Sequence, residues 1–288
     1  MNRIQLYTRV SERAAAVVIR EYSTSFGLAS RLLAQPVRTR IANIYALVRI
    51  ADEIVDGATD DAGLGRLDAG RALGELEDQT LFALEAGYST NPIVHAFATT
   101  ARSVGIGADL TRPFFDSMRS DLDETGYDAD GFERYVYGSA EVIGLMCLQC
   151  FLAGHSRTPS QWERLTAGAR ALGAAFQKVN FLRDLADDYE RLGRSYFPGV
   201  TVSSFTEVQK REILDGIAVD LAASRAALPL LPADSRRAVV LAHRLFADLA
   251  DRLRETPADC IVSTRVSVPV AAKLWHAASA GAGRLPRA

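Results

Sequence analysis

The chain has 288 residues, 48% of them hydrophobic and 24% charged, and carries a net charge of −2 at pH 7. This composition can bury the core of one large domain and lacks the basic excess of a nucleic-acid binder. Three cysteines, an odd number, argue against a disulfide framework and for a reducing compartment, so the expected location is cytoplasmic.

The apolar run at 14–19 ends at Arg20 and Glu21 and is too short for a signal sequence. Further along, "RTRIANIYALVRIADEIVD" (38–56) places Ile41, Ile44, Tyr45, Val48, Asp52 and Val55 at steps of three and four, the helical repeat. The polar stretch 57–69 reads as an exposed connection. Similar periodicity predicts helices over 70–86, 93–104, 109–122, 131–153, 160–189, 207–228, 234–254 and 268–279. Pro92, Pro113, Pro159, Pro198 and Pro232 fall near predicted helix ends. No alternating run predicts a strand, and no linker divides the chain, so residues 1–288 read as one all-α domain.

The most apolar stretch, 138–154, is interrupted by Glu141 and Gln149 and falls short of about 18 unbroken apolar residues. Membrane contact is therefore expected to be peripheral at most. Within it, Cys147 and Cys150 form C-x-x-C, but no second pair or nearby His completes a zinc site, and both read as small core residues.

Two helices carry paired carboxylates. Positions four apart lie about 40° from each other on a helix, so Asp52 and Asp56 share a face, and so do Asp184 and Asp188. Tyr45, Arg49, Asp52 and Asp56 make one polar line, and Gln177, Asn180, Asp184 and Asp188 another, each on an otherwise apolar helix. A solvated helix face is one reading, although like charges at this spacing repel. The other is convergence of the two lines on a cation. Oxygen donors without His or Cys favour Mg²⁺ or Mn²⁺, whose shell is completed by water and substrate phosphate. Glu-x-x-His pairs, a G-x-x-x-x-G-K-[ST] loop, H-E-x-x-H and G-x-S-x-G are all absent, which removes di-iron, P-loop, zincin and nucleophile-elbow chemistry.

"EYSTSF" (21–26), "YALVRIADEIVDG" (45–57), "YVYGSAEVIG" (135–144) and "AFQKVNFLRDLADDYERLGRSYFP" (175–198) together resemble the squalene/phytoene synthase family. The likeness covers about residues 20–275 and is nearest the phytoene synthases of actinobacterial carotenoid type. It implies a single-domain class I isoprenoid synthase fold with a central cavity. It also implies head-to-head condensation of two prenyl diphosphates, with Mg²⁺ or Mn²⁺ and without NADPH.

By this resemblance Asp52 and Asp56 match the first aspartate-rich motif, and Asp184 and Asp188 the second, with Asn180 as a further metal ligand. Arg49 matches a diphosphate contact and Gln177 its polar neighbour. Ser23 and Ser25 fall in a diphosphate-binding flap. Tyr45, Tyr135 and Tyr137 match cavity tyrosines, Tyr137 among the catalytic candidates, and Arg194 with Tyr196 match a basic segment closing the site. Tyr22 departs from the family pattern, which often has His there. The expected reaction is two geranylgeranyl diphosphates to phytoene through prephytoene diphosphate. The alternatives are a C30 relative using farnesyl diphosphate to make presqualene diphosphate, dehydrosqualene or hydroxysqualene, and a non-catalytic assembly protein.

Overall fold

The computed structural model describes residues 1–23, 25–263 and 265–281. Fifteen helices are found among them: α1 (Arg3–Tyr22), α2 (Ser25–Ser30), α3 (Val37–Asp56), α4 (Ala58–Asp61), α5 (Arg66–Ala86), α6 (Pro92–Val104), α7 (Ala108–Asp123), α8 (Ala129–Val136), α9 (Val142–Leu152), α10 (Pro159–Arg183), α11 (Leu185–Leu192), α12 (Glu207–Ala227), α13 (Ala233–Glu255), α14 (Ala258–Ile261) and α15 (Val270–Gly281). Strands are absent from the described residues; the nearest thing is one isolated bridge between Gly126 and Ser195. The all-α expectation is met.

Local chemistry explains many of the starts. Asn2 with Gln5, Thr158 with Gln161 and Thr206 with Gln209 form reciprocal capping boxes, each satisfying two otherwise orphaned backbone donors. Asn91 caps α6 and Asp128 caps α8. Pro92 and Pro159 stand at first helical positions, where no N–H is needed. Pro113 lies inside α7 rather than near its end.

Three further departures concern helix bounds. α1 is a full helix that the periodicity did not predict, because its inward face is only Ser11, Ala15 and Ile19. The connection 57–69 holds α4 and the start of α5. The predicted helix 160–189 is broken at Asp184, whose φ of −100° and ψ of 11° separate α10 from α11.

α3, α5, α6, α7 and α9 enclose one core around Phe97, Phe114 and Phe115; α8, α10, α12 and α13 enclose a second around Phe181, Leu182 and Ile217. Between α8 and α9, residues Tyr137–Glu141 form a π-helical turn. The continuous stretch Ala129–Leu152 is long and apolar enough to cross a membrane by composition, but 56% of its apolar window is buried against the rest of the protein. Cys147 and Cys150 lie in it as packed thiols, the Cys147 thiol pushed up to about 12 by burial.

α9 and the π-turn meet α10 at glycines. A Cβ on Gly144 would come 2.4 Å from the carbonyl oxygen of Ala169, and one on Gly173 would come 2.5 Å from that of Ala140. On Gly138 it would stand 2.1 Å from the Pro113 carbonyl. These glycines allow backbones to touch, and none can gain a methyl group without moving a helix. Gly173→Ala is therefore expected to cost about 1–3 kcal/mol, the usual range for overpacking, in a denaturant melt. A loss within error of zero would mean the two helices separate easily.

Candidate active site

α3 presents the first polar line. Arg49 Nη1 donates to Asp52 Oδ2 at 2.6 Å, and its second amino group binds the Glu53 carboxylate. The ring of Tyr22 lies 4.6 Å from the guanidinium carbon, close enough for cation–π attraction. Tyr22, the departure from the family pattern, thus steadies Arg49. The Tyr45 side chain hydrogen-bonds Ser23, and Ser23 Oγ accepts from the Gly27 N–H at 3.1 Å. The Ser25 side chain lies outside the described residues.

The second line survives the helix break because the Asp184 carbonyl accepts the Asp188 N–H at 2.9 Å, starting α11 as a helix would. Asp184 is held by Arg183 and by Arg265, whose Nε lies 2.9 Å from Asp184 Oδ1. Arg265 comes from the segment between α14 and α15. Asn180 and Gln177 precede Asp184 on α10, both half-buried.

Arg194 joins the two lines. Gly193, with φ of 65°, ends α11 in the left-handed region that favours glycine, and turns Arg194 inward. Its Nη1 donates to Asp56 Oδ1 at 2.5 Å and to the Tyr196 hydroxyl at 3.2 Å. Its Nη2 donates to the carbonyls of Asp121 at 2.5 Å and Val55 at 3.4 Å. The Asp121 carboxylate lies 3.6 Å from Nη1 and accepts the Tyr135 hydroxyl at 2.9 Å. Tyr135 and Tyr196 are buried, and Tyr196 stacks on Phe181 with ring centres 3.9 Å apart.

Tyr135 and Tyr196 therefore support Arg194 from behind. Neither they, Tyr45 nor Tyr137 is among the residues lining the apolar cavity described below. The Tyr137 ring faces Arg170 at 5.4 Å, and Arg170 in turn pairs with Glu141 at 2.6 Å.

Asp121 was not singled out from sequence. It stands among three acids in "SDLDE", yet it continues the inward stripe Phe114, Ser117, Met118 of α7, and an acid on a buried stripe was the available signal. Arg265 offered none.

The carboxylates strain against one another. Burial, then the Asp56 charge, pushes Asp52 up to about 6 despite Arg49. Burial, then Asp184 and Asp56, pushes Asp188 up to about 7 despite Arg194. Asp188 on α11 thus feels Asp56 on α3: the two motifs converge. Burial holds Asp121 well above the usual carboxylate range. Burial alone would lower Arg194, but Asp121 and Asp56 hold it above its ordinary value, so it stays charged.

Beside this cluster lies an apolar cavity of about 240 Å³, bounded by α2, α3, the π-turn, α9, α10, α12 and α13. Val48 of α3 and Gln177 of α10 line it. One turn further along the same faces stand Asp52 and Asn180. The Ser139 hydroxyl, which also lines the cavity, has no hydrogen-bond partner among the described residues.

Comparison with known proteins identifies the family and the fold. The squalene/phytoene synthase family profile matches residues 19–272. A 4,4'-diapophytoene synthase of Staphylococcus haemolyticus is 29% identical over 204 residues, covering 69% of this chain and 67% of that protein. A phytoene synthase of Pseudescherichia vulneris is 27% identical, covering 81% and 79%. A crystal structure of a dehydrosqualene synthase in complex with ligand superposes with a TM-score of 0.80 at 21% identity, over 98% of this chain and 99% of that one. With the family profile spanning nearly the whole chain and this helical fold shared, the protein belongs to the squalene/phytoene synthase family.

Proposed function

We propose that the protein joins two geranylgeranyl diphosphates head to head, through prephytoene diphosphate, to phytoene. One observation carries this reading: the convergent aspartates and arginines stand at the end of an apolar cavity, so a charged head and a long hydrocarbon tail find their own surroundings. Gly144, Gly168, Ala169 and Gly173 line that cavity with minimal side chains, which supports long tails. An allylic cation would be formed where water is scarce. A non-catalytic assembly protein would have no use for such a cavity beside four acids.

The donor set fits Mg²⁺ or Mn²⁺: all oxygen, anionic, and self-repelling to the point that Asp52 and Asp188 rise toward neutrality. As placed, no three acids, histidines or cysteines among the described residues are close enough to hold one ion, because Arg194 holds Asp56 and Arg183 and Arg265 hold Asp184. Asp52, Asp56, Asp184 and Asp188, with Asn180, would hold the ions once diphosphate draws the arginines to itself. Bound divalent ions would supply charge that helps the diphosphate leave. Arg49 and Arg194 add fixed positive charge, Arg49 with a free Nε buried and without a partner among the described residues.

A titration tests this. Asp52 and Asp188 have folded values above the ordinary carboxylate range, so the folded state binds their protons more tightly. Their ionisation therefore lowers stability as pH rises from about 4 to about 7. Without divalent cation, Tm is expected to fall between pH 5.5 and pH 8; Mg²⁺ should remove much of the fall, and Asp188→Asn should flatten it. An unchanged slope in Asp188→Asn, or no effect of Mg²⁺ at pH 8, contradicts the assignment.

The relatives favour the C30 reading as well, since one of them is named a 4,4'-diapophytoene synthase. Supplying farnesyl and geranylgeranyl diphosphate separately, with and without NADPH, and identifying the hydrocarbon decides between them. Phytoene from the C20 substrate without NADPH is expected. A C30 product from farnesyl diphosphate alone supports the second reading, and squalene formed only with NADPH overturns the first.

A further inference from the structure

Arg49 is held from two directions, and one of its partners, Glu53, has no part in the chemistry above. The acids it engages stand three and four residues further along α3. They therefore fall on opposite sides of it, about 60° one way and about 40° the other. This divides the guanidinium: Nη1 donates to Asp52 Oδ2 at 2.6 Å, and Nη2 donates to Glu53 Oε1. Glu53 is the more enclosed acid, its side chain 18% exposed against 37% for Asp52. From the end of α1, Tyr22 lays its ring 4.6 Å from the guanidinium carbon and covers one face.

The division matters to Asp52. A guanidinium free to turn favours a two-point pair with a single carboxylate, and such a pair would occupy both oxygens of Asp52. With Nη2 taken by Glu53, Arg49 engages one of them. Each amino nitrogen carries two hydrogens, so one on each is left for a phosphate oxygen. The Tyr22 ring fixes the plane in which those hydrogens lie.

We propose that Glu53 and Tyr22 are positioning residues for Arg49. Glu53 keeps the guanidinium off the second oxygen of Asp52, which stays open to a divalent cation, and Tyr22 holds the guanidinium plane for diphosphate. The inference rests on reading this site as one for diphosphate and divalent cation, and not on the tail length of the substrate. An ordinary ion pair on a helix face would shift stability slightly and leave binding alone.

Two binding measurements on the full chain test it. One is calorimetric titration with inorganic diphosphate in the presence of Mg²⁺; the other is the Mg²⁺ concentration at which Tm at pH 8 completes half its rise. Tyr22→Leu is expected to weaken diphosphate binding about three- to tenfold, the scale of one partly exposed cation–π contact, whereas Tyr22→Phe keeps the ring and should bind within about twofold of the parent. Glu53→Ala should raise the Mg²⁺ midpoint at least about threefold, the lower range of coupling within one network, with Glu53→Gln in between. Circular dichroism should be unchanged throughout. The Glu53 effect must act through Arg49, so in an Arg49→Met background Glu53→Ala should leave the midpoint where it is. An equal rise in that background means that Glu53 attracts the cation by its own charge, and the proposal fails. It fails too if Tyr22→Leu or Glu53→Ala binds like the parent, or if Tyr22→Phe binds as poorly as Tyr22→Leu. A parent protein that takes up neither diphosphate nor Mg²⁺ overturns the reading of the site itself, and this proposal with it.

Discussion

Asp184→Asn is expected to lower turnover at least about 10²-fold, the scale of losing one group that stabilises charge in a transition state, while the fold survives. Asp184 sits at the junction of α10 and α11, held by Arg183 and Arg265. Asn is nearly isosteric and keeps one acceptor oxygen, so the junction can persist. It removes the charge that would share a cation with Asp188, and it also releases two arginines. Steady-state rates on the preferred diphosphate, with Mg²⁺ varied, measure the effect. Excess Mg²⁺ should recover only part of it. A near-normal rate would show that Asp184 is an ion-pair residue and nothing more.

The largest stability loss should follow Arg194→Met. Arg194 is 6% exposed and Asp121 2%, and the substitution leaves Asp121 buried without its cation and two backbone carbonyls without their donor. Breaking a buried pair by removing one partner costs about 3–5 kcal/mol. Denaturant melts at neutral pH should show that loss, and it should shrink in acid, where Asp121 can protonate. Arg194→Lys should recover little, because one ammonium cannot reach Asp56, Tyr196 and the Asp121 carbonyl with the geometry of a planar fork. Adding Asp121→Leu to Arg194→Met should restore stability but not activity, since Asp56 still lacks its partner. A loss below about 1 kcal/mol, the range of exposed pairs, would contradict the network.

Much of the site was legible because helices write periodicity into sequence. The spacing of Asp52 and Asp56, and of Asp184 and Asp188, announced shared faces, and the helix break at Asp184 did not undo the second pair. What was hidden depends on tertiary packing. α1 escaped notice because Ser11 and Ala15 bury little apolar surface. The π-turn at Tyr137–Glu141 and the break at Asp184 carry no Pro to mark them. Asp121 and Arg265 act through chain segments distant in sequence from the motifs they serve. The tyrosines were placed by likeness alone, and Tyr135 turned out to brace Arg194 from the core.

The glycine contacts between α9, the π-turn and α10 bear on how this enzyme can change its substrate over evolutionary time. At Gly144 and Gly173 that wall already stands at backbone contact, with no side chain left to trim, so it cannot retreat there to admit a longer tail. Nor can it advance cheaply, because the first added methyl group collides with a carbonyl. Selection for tail length is thereby channelled to the cavity's other boundaries, where Leu33, Ile41, Leu228, Leu231 and Val239 can be enlarged or cut back one at a time. A lineage exploring chain length would keep Gly144 and Gly173 fixed and drift at those five positions.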